Sequence, residues 1–238
     1  MALILNLDTS TQICSVALAL DGELLGLKES QEDKSHASLL AVFIKHTLEE
    51  NAKAISDLDA VAVCKGPGSY TGLRIGVSTA KGLAYGSGIP LISVDTLSSM
   101  ATGVIHGHLL QNEALPEDKS FLLCPMIDAR RMEVYTAVFL PSGEMIEPIA
   151  AKIIQENSFK DILEQNRVVF FGNGAAKCRD TIKHPNAIFL EGIETSASYM
   201  VSLAESAWQQ KHFEDVAYFE PFYLKDFLAT IPKNKVIK

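Results

Sequence analysis

Residues 64–86 read Cys64-Lys-Gly-Pro-Gly-Ser-Tyr-Thr-Gly-Leu-Arg-Ile-Gly-Val-Ser-Thr-Ala-Lys-Gly-Leu-Ala-Tyr-Gly86. The stretch opens on a turn, Gly66-Pro67-Gly68, in which proline fixes its own φ and the glycines admit positive φ. Ser69 or Thr71 can then cap a helix by accepting a backbone N–H. Within that helix Gly72, Gly76, Ala80 and Ala84 recur every four residues and line one face. Each glycine costs a helix about 1 kcal/mol relative to alanine. A bare stripe offsets such a cost when it lets a second helix lie close. Leu73, Val77, Leu83 and Tyr85 add apolar surface, so the helix is expected to be packed on several sides.

Working outward, short apolar runs at 60–64 and 90–94 flank this helix and read as buried strands. Upstream, residues 3–7 and 14–20 are apolar runs, Asp21-Gly22 is a hairpin turn signal, and the more polar 23–30 reads as a third strand nearer an edge. Residues 35–50 read as a helix whose centre, 39–44, is apolar all round and so buried on more than one face. Residues 96–106 read as a further helix. Three antiparallel strands, then helix and strand in alternation, predict a mixed sheet with helical crossovers, α/β in class.

The polar, acidic connector 111–120 is the best boundary in the chain. Beyond it the opening pattern recurs. An apolar run at 121–127 ends at Asp128-Ala129-Arg130, as 3–7 ends at Asp8-Thr9-Ser10. A hairpin follows, with strands at 133–139 and 144–150 about Pro141-Ser142-Gly143. Two halves of one kind are therefore predicted, residues 1–110 and a smaller 111–238. Helices are expected at 158–165, 175–183 and 196–209, and strands at 168–171 and 187–190. The final helix is amphipathic, and the aromatic tail 218–224 reads as an ordered strap over the body. The final helix and tail could return to the first half. Residues 233–238 are basic and expected to fray.

With 238 residues, 47% of them apolar, the chain can bury a sizeable core and is not disordered. A net charge of −8 argues against the whole chain acting alone on nucleic acid, since phosphate contacts need clustered Lys and Arg. It leaves room for a subunit whose partner supplies the basic surface. Cys14, Cys64, Cys124 and Cys178 are widely spaced in apolar surroundings and read as small buried hydrophobes rather than zinc ligands or disulfides. Asn6 and Asp8 break the apolar N-terminus, so no signal peptide is expected, and no run approaches a membrane span. A reduced, cytoplasmic setting follows as an expectation.

Strand-end carboxylates at Asp8 and Asp128, with Thr9 and Ser10, could face each other across a cleft and hold Mg²⁺ or a water near a nucleotide phosphate. The plain alternative is a polar residue ending a strand. Gly172-Asn173-Gly174, between a strand and a helix, could bring backbone N–H groups to a phosphate, or be only a tight turn. The six histidines lack metal-ligand spacing. Neither Ser10 nor Ser69 has a base partner in sequence, so a peptidase reading has no nucleophile to rest on. Arg74 is either a surface cation or an anchor for a partner's carboxylate.

The run 66–74, with Ala80-Lys-Gly-Leu-Ala84, resembles the TsaB (YeaZ) family of bacterial subunits for threonylcarbamoyladenosine synthesis on tRNA. Residues 5–10, 88–97, 127–130, 172–175 and 221–224 extend the resemblance over nearly the whole chain. It implies two RNase H-like halves of the actin-like ATPase (ASKHA) fold. It also implies a paralogue of the catalytic subunit TsaD without its metal pair, whose positions fall here on Thr96 and Met100. No catalytic residue, metal or cofactor is then expected. The implied partners are TsaD and the ATPase TsaE, with a homodimer through the same helices when TsaD is absent and tRNA reached only through the complex. The implied pairing surface comprises Leu39, Leu40 and Phe43 of the first helix. From the glycine-rich segment it takes Ser69, Tyr70, Thr71, Gly72, Leu73, Arg74, Gly76, Val77, Ala80 and Ala84. The rival reading is a stand-alone nucleotide-dependent phosphotransferase or ATPase of the same fold, using Asp8, Thr9, Ser10, Asp128, Gly172 and Gly174.

Overall fold

The computed structural model describes residues 1–30, 36–108 and 120–225. The first sheet is built on β1 (Leu3–Asp8) and β4 (Ala60–Gly66), which pair in parallel. Both are buried almost throughout, as continuous apolar runs demand. β2 (Cys14–Leu20) pairs antiparallel with β1, and β3 (Glu23–Ser30) antiparallel with β2. β5 (Leu91–Asp95) lies parallel to β4, giving the order β3-β2-β1-β4-β5. The second sheet repeats this scheme. β6 (Phe121–Asp128) pairs antiparallel with β7 (Glu133–Phe139), which pairs antiparallel with β8 (Met145–Ile153). β9 (Arg167–Phe171) and β10 (Ala187–Phe189) follow in parallel on the other side of β6. The repeat inferred from two hairpins is thus a repeat of five strands.

Among the described residues, five α-helices cover the sheets. α1 (His36–Glu50) and α2 (Tyr70–Ser87) lie on one face of the first sheet, where Leu40, Ile44, Leu48, Val77, Ala80 and Ala84 join Leu5, Leu7, Val16 and Val63 in one core. Ser69 accepts from the Gly72 N–H to start α2, and Gly88 ends it in the left-handed conformation at φ 66°. α3 (Thr96–Gly103), begun by Asp95 accepting from Ser98 N–H, continues into a π-helical turn, Val104–His108. α4 (Lys160–Gln165) serves the second sheet.

The expected helix at 175–183 is a single 3₁₀ turn at Ala176–Cys178. Asp180 and Thr181, poor helix formers, stop its extension. The expected helix at 196–209 begins as a 3₁₀ turn, Ala197–Met200, and becomes α5 at Val201–Gln209.

The crossover helices are exchanged between the halves. α3 puts Leu97, Met100 and Val104 into the core of the second sheet. α5 and the turn before it put Met200, Val201 and Ala204 against Ile4, Ala17, Ala60 and Ala62 on the free face of the first. The tail straps the first sheet. Glu214 N–H donates to Leu91 O at 2.8 Å and Phe222 N–H to Lys65 O at 2.7 Å, while Lys81 Nζ donates to Phe219 O at 2.8 Å. All four cysteines are buried and free. The connector, from 111 to 119, and the basic end at 233–238 lie outside the described residues.

Candidate functional site

Each half ends its first strand with the same local device. Asp8 Oδ1 accepts from Ser10 N–H at 2.8 Å and from Ser10 Oγ at 2.6 Å, and Asp128 Oδ1 accepts from Arg130 N–H at 2.7 Å. These are Asx turns, the reason an aspartate suits a strand end.

The surroundings of the two turns differ. Asp8, Thr9 and Ser10 are all at most 1% exposed. Thr9 Oγ1 donates to Gly72 O at 2.7 Å, and Ser69 N–H donates to Ser10 O at 2.6 Å. The 66–69 turn and first turn of α2 therefore sit as a lid on the turn after β1. Beside them the Cys64 thiol and Thr96 hydroxyl are 2.9 Å apart. Burial pushes the Asp8 carboxyl above its ordinary value, against hydrogen bonds from Ser10 and Cys64 and with a small push from Glu29. Burial likewise raises the Cys64 thiol, helped by Asp8. Asp8 Oδ2 has no hydrogen-bond partner. Burial thus disfavours the charged form of this carboxyl, which is enclosed rather than open to a ligand.

Asp128 is exposed and ion-paired with Lys177, whose amine also donates to the carbonyls of Arg131 and Glu133, both at 2.7 Å. Asn173 Oδ1 accepts from Asp128 N–H at 2.9 Å, and Gly174 N–H donates to Met126 O at 3.0 Å. Gly172 has φ 98°, and a Cβ there would stand 2.5 Å from Met126 O, so glycine is required. Asp128, Gly172 and Gly174 are thus brought together, and packing of the turn on β6 accounts for both glycines. α3 runs from the Asp8 cluster to this one: Thr96 meets Cys64, and the Met100 methyl lies against Gly172. Among the described residues no three His, Cys, Asp or Glu side chains group as metal ligands.

The small-residue stripe of α2 has a different neighbour from the one anticipated. Gly72, Leu73, Gly76, Val77, Ala80 and Ala84 are buried within the chain itself, as is Leu40 of α1. A Cβ at Gly72 would lie 2.1 Å from Thr9 O, and one at Gly76 2.3 Å from Thr9 Oγ1. The bare face exists so that α2 can lie on the turn after β1, and these seven residues do not form an outer surface. Spacing announces a close approach without saying to what.

The other expected residues face outward or are half-buried: Leu39 and Phe43 on α1, and Ser69, Tyr70, Thr71 and Arg74 at the start of α2. The Arg74 guanidinium lies 4.4 Å from the Tyr70 ring centre and is hydrogen-bonded to Tyr223, whose ring is 4.9 Å from Tyr70. Further along, a second run of small residues, Ser78, Gly82 and Gly86, is exposed, and no atom lies within 4 Å of a Cβ built at either glycine. Sequence reading missed this outer stripe, although its four-residue spacing is visible there. It also missed Lys177 and Tyr223, whose partners are far away in the chain.

A family model described as "TsaD: tRNA N6-adenosine threonylcarbamoyltransferase" matches residues 26–233. The chain is 30% identical over 236 residues to the tRNA threonylcarbamoyladenosine biosynthesis protein TsaB of Haemophilus influenzae, covering 94% of this chain and 93% of that protein. The chain belongs to the TsaB family. Its likeness to the Escherichia coli TsaB protein is 29% over 234 residues, with 95% and 96% covered. A solved structure of YeaZ from Pseudomonas aeruginosa superposes with a TM-score of 0.77 at 28% identity, covering 94% of this chain and all of that one. The fold is accordingly the actin-like ATPase arrangement of two RNase H-like halves. No helix among the described residues is long and apolar enough to cross a membrane.

Proposed function

We propose that this chain is a non-catalytic subunit in the synthesis of threonylcarbamoyladenosine on tRNA, pairing with a TsaD-like catalytic subunit in the cytoplasm. The observation that carries the reading is likeness over 94% of the chain to a protein named for that biosynthesis. Two features support it. Asp8 is enclosed under the first turn of α2, so the strand-end carboxylate that the rival phosphotransferase would use is not open to a ligand. And α2 exposes Ser78, Gly82 and Gly86, with open space at both glycines, while its neighbour α1 leaves Leu39 and Phe43 half-buried; a bare helix face of this kind admits another helix backbone closely. The same face serves a second copy of the chain when the catalytic subunit is absent, and a TsaE-like ATPase joins the heterodimer. The chain contributes binding energy and conformational bias; the transfer chemistry belongs to its partner.

Gly82→Leu tests the surface. Pairing with the TsaD-like subunit, followed by size-exclusion chromatography and titration calorimetry, is expected to weaken at least about tenfold. The thermal midpoint of the isolated chain should not fall, and tRNA modification by the mixture should drop with pairing. Full pairing by the variant would overturn the assignment of the face. Undiminished tRNA modification by the TsaD-like and TsaE-like proteins without this chain would overturn the subunit role. Gly76→Leu does not serve, because it drives a side chain into Thr9.

A further inference from the structure

The turn between β6 and β7 places two arginines side by side in a conformation that suits neither. Arg130 has φ 71° and Arg131 φ 49°. Left-handed backbone costs a non-glycine residue about 1–2 kcal/mol, and Asn or Gly fills such positions more cheaply. Both side chains are exposed, and neither has an ion-pair partner among the described residues. The carboxylates nearest in the turn are already taken: Asp128 pairs with Lys177, and Glu133 with Lys225. With Asp128 and Glu133 neutralised by Lys177 and Lys225, Arg130 and Arg131 remain as two exposed positive charges on the turn without an ion-pair partner among the described residues, on a chain whose net charge is −8. Lys177 also ties the turn down by donating to the carbonyls of Arg131 and Glu133.

The corresponding turn of the first half, 9–13, carries no charge and is closed over by α2. The second-half turn is the one left open.

We infer that the Arg130–Arg131 turn is a contact for the phosphate backbone of the tRNA on which the assembled complex acts. This deepens, and rests on, the reading of the chain as a subunit of tRNA modification. Arginine forks match phosphate oxygens, and a rigid turn presents them with less entropy lost on binding. An exposed hairpin tip can lie along an extended polyanion, whereas it cannot enclose a mononucleotide. It would let this chain touch tRNA directly rather than only through its partner.

The test uses the full chain assembled with its TsaD-like partner and an unmodified tRNA transcript, read by fluorescence anisotropy. Arg130→Gln with Arg131→Gln should weaken tRNA binding about tenfold near 0.1 M salt. It should also lower the slope of log affinity against log salt by about 1–2, as expected for one or two lost phosphate contacts. The double lysine variant should recover most of both. Assembly with the partner, measured in parallel, reports that the variant folds. Unchanged affinity and slope in an assembled glutamine variant would overturn the inference while leaving the subunit reading intact. A wild-type complex that assembles but neither binds nor modifies tRNA would overturn that reading and this contact with it. Loss of fluorescent ATP binding with tRNA binding unchanged would assign the turn to a nucleotide and also overturn the inference.

Discussion

Asp8 and Asp128 occupy one topological position twice, and their surroundings send them different ways. Burial raises the Asp8 carboxyl above 3.8, so the folded chain holds that proton more tightly than the unfolded chain. Its contribution to stability is complete below the ordinary carboxylate range and declines as pH rises through the raised folded value. Asp8→Asn removes the decline and keeps an oxygen to accept from Ser10. The variant's thermal midpoint, relative to wild type, should therefore climb as pH is raised from about 4 to about 8. Parallel profiles would show that Asp8 titrates alike in both states. That each aspartate ends a strand was legible in the sequence, because an apolar run stops there. That one would be enclosed was not, since its lid comes from residues 66–72, far along the chain.

α2 carries two stripes of small residues on different faces, and only the outer one is open. Gly76 and Gly82 make a controlled pair within this helix. Alanine at Gly82 meets nothing within 4 Å and should stabilise the isolated chain by about 0.5–1 kcal/mol through helix propensity and a smaller unfolded ensemble. Alanine at Gly76 gains the same propensity but sets a methyl 2.3 Å from Thr9 Oγ1, which is held by its bond to Gly72 O. It should destabilise by about 1–3 kcal/mol, as overpacked sites do. Denaturant titration of both variants measures the contrast, and equal effects would mean that α2 does not lie on the turn after β1. At this scale the sequence disclosed where helix and strand fall, through apolar period and turn residues. It misplaced the helix at 175–183 because a run of alanine and lysine looks helical until its 3₁₀ bonding and the Asp180-Thr181 step are seen.

On the scale of the molecule, the fold class was legible in the order of hairpin and crossover, and the repeat in two strand-end aspartates. The exchange of α3 and α5 was not, because nothing local in an amphipathic helix says which sheet it will cover. That exchange makes each half incomplete alone. A fragment ending at residue 108 lacks α5 and so leaves Ala17, Ala60, Ala62 and their neighbours bare on one face of the first sheet. It is expected to be aggregated or molten, with weak near-ultraviolet circular dichroism, whereas the full chain should melt in a single calorimetric transition. A fragment with native-like dichroism and a sharp melt would contradict the exchange.

Tyr199, just before α5, lies so close to Gly103 at the end of α3 that a Cβ on the glycine would stand 2.2 Å from the ring. The two exchanged supports therefore bear on each other as well as on their sheets. Swinging one half away from the other, as a clamshell opens, would peel a helix from an apolar bed on both sides of the hinge at once. The molecule is built as a braced bracket, and a bracket can impose its outline on whatever is bolted to it.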